Sequence, residues 1–382
     1  MPLALLALLL LVIIRTGPTE SLRGEGVPPV ERLSVQRALL TNDGIVLSVL
    51  NDGPDPVTIA QVTVDDAYWA FTSEQGSVLR HLGSTKLHIP YPWVQGEAHL
   101  VKVITSTGTT FEHEIPVAVQ SPQPDARYLL AFTLIGLYVG VIPVALGLLW
   151  LPLVHRLGRT GLDVLLALTV GLLAFLFVDA AHEGIESAAD IPASYQGLAL
   201  FVSSTVAAYL ALEGFGAWLK ARRMRAKSAG SPGFVLALLI AVGIGLHNFG
   251  EGLAIGAAYS LGEAALGTLL VIGFTLHNTT EGLAIVAPIA HERPSIPTLL
   301  RLGLIGGVPT ILGAWVGGFT YSPVVSVVFL GLGAGAIAQV TLQIARQVAR
   351  EQPLTQRFAS APVMAGLFAG FGVMYATGLL VG

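Results

Sequence analysis

Two nonapeptides carry the chemistry of this chain: HNFGEGLAI at 247–255 and HNTTEGLAI at 277–285. They agree at seven of nine positions, and each lies inside a long apolar run. In each, His and Glu are four residues apart, which puts both on one face of a helix, and Asn and Glu are three apart, one turn away on its flank. An ionisable side chain at mid-membrane costs several kcal/mol unless it is paired, so its presence there points to function. His247, Asn248 and Glu251 therefore read as one comb of ligands, with His277, Asn278 and Glu281 as a second comb facing it. Imidazole and carboxylate without thiolate suit zinc, iron, manganese, cobalt or cadmium. The alternative is a buried hydrogen-bond network that joins two helices. It accounts for one lone histidine better than for six polar residues repeated in register. Gly250, Gly252 and Gly282 let the helices approach closely or bend.

The composition says what must position these residues. Of 382 residues, 53% are hydrophobic and 12% charged, against about 25% charged in soluble domains. A net charge of −4 gives no sign of a nucleic-acid partner, and the absence of cysteine excludes disulfides and thiolate chemistry. Eight apolar segments run at 128–151, 163–187, 195–219, 233–258, 264–290, 298–318, 323–345 and 359–381. Each can cross a hydrocarbon core of about 30 Å at about 1.5 Å per residue, and unsatisfied backbone in lipid forces them to be helices. The basic residues fall in alternate connections: Arg156 and Arg159; Lys220, Arg222, Arg223, Arg225 and Lys227; Arg293 and Arg301; Arg346, Arg350 and Arg357. The intervening connections have none. The basic loops are expected in the cytoplasm and both termini outside. The run KARRMRAKSAGSPG is read as a topology anchor.

Upstream of Arg127 the chain is of another kind. The apolar run PLALLALLLLVII is short for a span and reads as an export signal within residues 1–16, with an uncleaved anchor as the alternative. Over 25–120, LSVQRALL, IVLSVL and VTIAQVTV, separated by Asn-Asp-Gly turns, read as a meander, and KLHIPYPWV, AHLVKVITS and FEHEIPVAVQ continue it. Short strands at this spacing predict an exported all-β, immunoglobulin-like sandwich. Its His81, His88, His99 and His113 are scattered and read as surface or packing residues. SPQPDAR, 121–127, is the linker, and 128–382 is an all-α polytopic membrane domain of eight helices.

In the second segment, VDAAHEGIESAAD places Asp179 near mid-depth, with His182, Glu183 and Glu186 stepping outward towards Asp190. With no basic residue nearby, this is a candidate transport path that attracts cations. Glu213, isolated within two turns of Lys220, reads as a packing or salt-bridge residue, and Gln339 and Gln343 as polar contacts between helices.

HNFGEGLAI resembles the fourth-helix signature of the ZIP family of metal-ion transporters, commonly His-Asn-x-Pro-Glu-Gly, and HNTTEGLAI resembles the matching fifth-helix motif. The resemblance covers about 125–382 and implies import of divalent transition metal through a two-metal centre between these helices. It implies that His247, Glu251, His277 and Glu281 form a primary site, and that Asn248, Asn278 and the two glutamates form a second. It also implies a homodimer and alternating access by sliding one helix group against another. The motif proline is Gly250 in one helix and Thr280 in the other. In GGVPTILGA, Val308 stands where some relatives have Glu, and Asp179 stands where the family often has His. The third loop has no histidine. The expected function is transport of divalent transition metal ions, zinc first with iron, manganese and cadmium as alternatives, across the plasma membrane towards the cytoplasm, with the metal as substrate, no cofactor and no enzymatic step. An intramembrane metalloenzyme is one alternative, although HEGIE at 182 and HERPS at 291 both lack the second His of H-E-x-x-H. A metal sensor or receptor is the other.

Overall fold

The computed structural model describes residues 2–16, 28–226, 232–289, 291–349 and 352–379. The basic stretch at 227–231 and the region following the leading segment, 17–27, lie outside the described residues. Pro2–Thr16 is one apolar helix in which the leucines from Leu5 to Leu11 are exposed.

Nine strands follow: β1 Leu33–Thr41, β2 Gly44–Asn51, β3 Val57–Val64, β4 Ala67–Trp69, β5 Thr72–Ser73, β6 Val78–Leu79, β7 Ser84–Ile89, β8 His99–Thr105 and β9 Thr110–Ile115. Asn42 and Asp43 close a tight hairpin in which Thr41 pairs with Gly44. The expected meander ends there. β2 pairs with β7, and β3 crosses to the other sheet, giving the orders β1-β2-β7-β5 and β4-β3-β8-β9, with β6 on β3. The connection DGPDP explains the crossing, because Pro54 and Pro56 have no N–H for a continuing ladder and hold φ rigid. Buried Asn51 shapes the corner: its Nδ2 donates to Asp55 O (2.8 Å) and Leu79 O (2.9 Å), and its Oδ1 accepts from Gly53 N (2.8 Å). The inner faces then pack as a sandwich, with Ile45, Leu47, Val49, Leu87 and Ile89 in one core with Val62, Val64, Val101 and Val103.

Three of the four histidines here are engaged separately. His81 Nδ1 lies 2.7 Å from Gly53 O, His88 Nε2 3.0 Å from Glu74, and His99 Nδ1 2.8 Å from Asp65. Burial alone would raise the Asp65 carboxyl, but hydrogen bonds from Leu100 N–H, His99 and Tyr91 outweigh it and hold the carboxyl below its usual range. A depressed carboxyl contributes stability above its unfolded value of about 3.9 that is lost as pH falls through the folded value. Acid titration from pH about 5 downwards should loosen this corner, monitored by Trp69 and Trp93 fluorescence, and Asp65→Asn should flatten that part of the curve.

The helices of the bundle are α1 Ala126–Val154, α2 Arg159–Asp190, α3 Gly197–Ala226, α4 Pro232–Ser260, α5 Ala264–Val286, α6 Ile296–Thr320, α7 Pro323–Ala349 and α8 Ala361–Leu379. Seven are long and apolar enough to cross a membrane; α8 has a shorter apolar stretch among the described residues. Asp125 caps α1, its Oδ1 accepting from Tyr128 N at 2.8 Å. The helices pack as two groups. In one, α4 lies along α6, and α1 lies along α5 and α6; in the other, α2 lies along α8, and α7 along α2 and α3. The main contact between groups is α4 on α7. Glycines permit the closest approaches: a Cβ on Gly282 of α5 would strike the Val144 carbonyl of α1, and one on Gly252 of α4 the Thr310 carbonyl of α6. The β sandwich lies at the end of the bundle where α2 meets α3 and α6 meets α7.

Candidate metal centre

α4 and α5 are joined by the short turn at 261–263, so they run antiparallel, with His247 and His277 each near mid-length and the second nonapeptide running almost to the end of α5. Neither helix breaks at the motif position where Gly250 and Thr280 stand. His247, Glu251 and His277 converge, each offering a ligand atom within 4.8 Å of the others; among the described residues this is the only such group of three. Both imidazoles address one carboxylate. His277 Nε2 contacts Glu251 Oε1, and His247 Nε2 lies 3.1 Å from the same oxygen without the angle of a hydrogen bond. The two rings are 6.3 Å apart, centre to centre.

The asparagines are aimed by their amides. Asn248 Nδ2 donates to Gly306 O of α6 (3.1 Å), while Asn278 Nδ2 donates to Val139 O of α1 (3.0 Å) and Glu251 Oε2 (2.9 Å). Asn248 Oδ1, Asn278 Oδ1, both Glu281 carboxylate oxygens and Thr310 Oγ1 are buried without a hydrogen-bond partner. Buried acceptors are expensive to leave unsatisfied. Glu281 is thus not part of the converging triad, although it is buried beside it, lining a pocket with His277 and Thr280.

The carbonyls that receive these amides were not evident from the motifs. Pro143 has no N–H to give to Val139 one turn back, and α1 widens there into a π turn over Leu137–Val141. Pro309 inside α6 likewise leaves the Ile305 carbonyl without its helical donor, next to Gly306. The helix-loosening prolines therefore sit on the neighbours of the motif helices. An X-Pro inside an apolar run was the available signal.

The second-helix residues divide. Asp179 and Glu183 line the cavity that holds His247, Glu251 and His277, closed by Phe274, Phe329 and Gly333. Glu183 and Glu186 line a larger vestibule of about 410 Å³ with Glu263, Tyr321 and Ser326. His182 lines neither; it is exposed, 3.4 Å from Glu186. Glu263, overlooked in the sequence, adds a third carboxylate to a vestibule whose other walls are mainly Leu and Ala, with no basic residue among them. Glu186→Gln with Glu263→Gln should raise the KM for a divalent cation about three- to tenfold at low salt and much less at high salt, leaving the maximal rate intact. Flux titrations at two ionic strengths test this. Glu213 meets Arg346 (3.6 Å) and Gln339 Nε2 (3.1 Å), which joins α3 to α7, whereas the bond from Gln339 to Gln343 (2.9 Å) lies within α7 and not between helices as expected.

Residues 219–378, which contain both nonapeptides, match the family model described as ZIP Zinc transporter. Over this stretch, less than half of its length, the chain is similar to the ZIP family. No curated protein matches the chain. Within the ZIP segment lie α4 to α8 up to residue 378. The sandwich, α1 and the acidic part of α2 lie upstream of the match. The ZIP motif residues are the ones gathered at mid-bundle, whereas Asp179, Glu183 and the π turn of α1 come from outside the matched stretch.

Proposed function

We propose that the protein carries divalent transition metal ions, zinc first, across the membrane towards the cytoplasm, with His247, Glu251 and His277 as the primary ligands. The single observation behind this is the enclosed triad at mid-bundle beneath a vestibule with three carboxylates in its walls. The cavity that the triad lines with α2 and α7 has a volume of about 20 Å³, room for one ion or water and too little for an organic substrate. That favours transport over intramembrane catalysis. Asn248, Asn278 and Glu281, with their unpartnered oxygens, form a second ion position one step further on. The basic loops, read as cytoplasmic, support a vestibule and sandwich on the outer side, and passage from the vestibule inwards is the direction we assign. The leading apolar helix is the export signal or anchor, the sandwich an immunoglobulin-like module, the plasma membrane the location and a homodimer the working form.

The ligands of the triad come from α4 and α5, while Asp179, Glu183, Phe329 and Gly333 on α2 and α7 cover it. The site therefore lies on the seam between the two helix groups, and passage through it requires that seam to open on one side and then the other. Purified protein in liposomes loaded with a metal-sensitive dye tests the assignment: saturable entry of zinc, iron(II), manganese or cadmium that depends on Glu251 supports it and ranks the substrates. Tight binding at the triad without entry would transfer the site to a sensor.

A further inference from the structure

The sandwich holds both helix groups. The β1 register slips between Val35 and Arg37, and such a bulge re-aims the side chain that follows. Arg37 is consequently buried beneath the domain, where Nη1 donates to Phe319 O (3.1 Å) and Nη2 to Gly318 O (3.2 Å) at the end of α6. A cation on the last carbonyls of a helix is favoured by both hydrogen bonding and the helix dipole. On the other side of the seam, the corner set by Asn51 presents Asp52. Its carboxylate accepts from Ala193 N (3.1 Å) and Ser194 N (3.1 Å), and its carbonyl from Ser194 Oγ (3.2 Å), in the turn between α2 and α3. α6 belongs to the group that carries the triad. The α2–α3 turn belongs to the group that covers it. Two charged side chains of one rigid sandwich thus tie together elements that must separate when the seam opens.

We propose that Arg37 and Asp52 are positioning residues for transport: through them the outer domain braces the two helix groups against each other and sets the rate at which the seam opens. This rests on the transport reading for its consequence, but the brace itself is testable without flux. Neither residue lines the triad's cavity or the vestibule, so at high salt, where the charge of Arg37 near Tyr321 is screened, substrate affinity should be unaffected. Arg37→Ala and Asp52→Ala should each raise the maximal rate about fivefold, a modest coupling between sites, with KM unchanged. Arg37→Lys, which keeps a donor cation, should restore much of the wild-type rate.

The chain has no cysteine, so Ser326→Cys, buried on α7 at the vestibule, provides a single thiol whose rate of alkylation by a water-soluble maleimide reports seam opening directly. In the Arg37→Ala and Asp52→Ala backgrounds this rate should rise by the same factor as turnover. Unchanged turnover and unchanged alkylation in folded protein would overturn the brace, as would a rise in KM alone. If the wild type shows no flux, the transport reading fails by itself, and alkylation then decides: faster labelling in the variants upholds the brace, equal labelling removes it.

Discussion

Replacing Glu251 with glutamine is expected to reduce metal flux at least 100-fold and to abolish high-affinity binding at the triad. Glu251 is where the centre is joined: one carboxylate oxygen takes both His277 and His247, and the other accepts from Asn278 Nδ2 at 2.9 Å. Glutamine keeps the size and offers an amide N–H2 in place of one oxygen. That group repels a cation and cannot accept from imidazole and amide at once. Changing the groups that orient a ligand costs about 10–100-fold in metal affinity, and here the ligand itself is removed. The fold should persist, because α4 is held along its length by α6. His277→Ala should behave similarly, whereas Glu281→Gln, outside the converging triad, should weaken transport while leaving a measurable binding step. Isothermal titration with zinc, run beside the flux assay, separates the two. Binding by Glu251→Gln that matches wild type would remove the triad as the metal centre.

The second large effect concerns stability. Arg357, in the short helix Leu354–Phe358, donates from Nη2 to Asp163 near the start of α2 and from Nε to Val348 O of α7 (3.3 Å). The Asp163 side chain is only 9% exposed, so this pair lies largely out of water where α2, α7 and the approach to α8 meet. Breaking a buried pair by removing one partner strands the other, at a cost of about 3–5 kcal/mol. Asp163→Ala should therefore destabilise the protein by about 3 kcal/mol and lower Tm in detergent by several degrees. Asp163→Leu combined with Arg357→Met should recover part of that loss, because no charge is left stranded. Thermal unfolding of the single and double variants decides it; a loss below about 1 kcal/mol for Asp163→Ala would mean a solvated surface pair.

Much of this protein is legible one segment at a time. The His-Asn-x-x-Glu-Gly repeats, the spanning helices and the strands are read from residue type and local period, because hydrogen bonding within a helix and alternation along a strand depend on near neighbours. HNFGEGLAI and HNTTEGLAI by themselves place a histidine and a glutamate on one face of each of two apolar helices, and the alternation of basic and uncharged connections suggests which helix ends lie together. Partnership across long stretches of chain was not legible, because it depends on which faces pack. The structure decided that β3 leaves β2 for the other sheet, a choice made by the Asn51 corner and its two prolines. It decided that Glu281 stands beside the triad and that His182 turns away from the path, since a residue's place on a helix does not say which neighbour that face meets. It alone matched Asp163 with Arg357, Arg37 with the end of α6, and the Asn278 amide with the carbonyl that Pro143 leaves open. Each of these contacts joins residues more than a hundred positions apart, where burial and the need to satisfy polar groups operate only once the helices are in place.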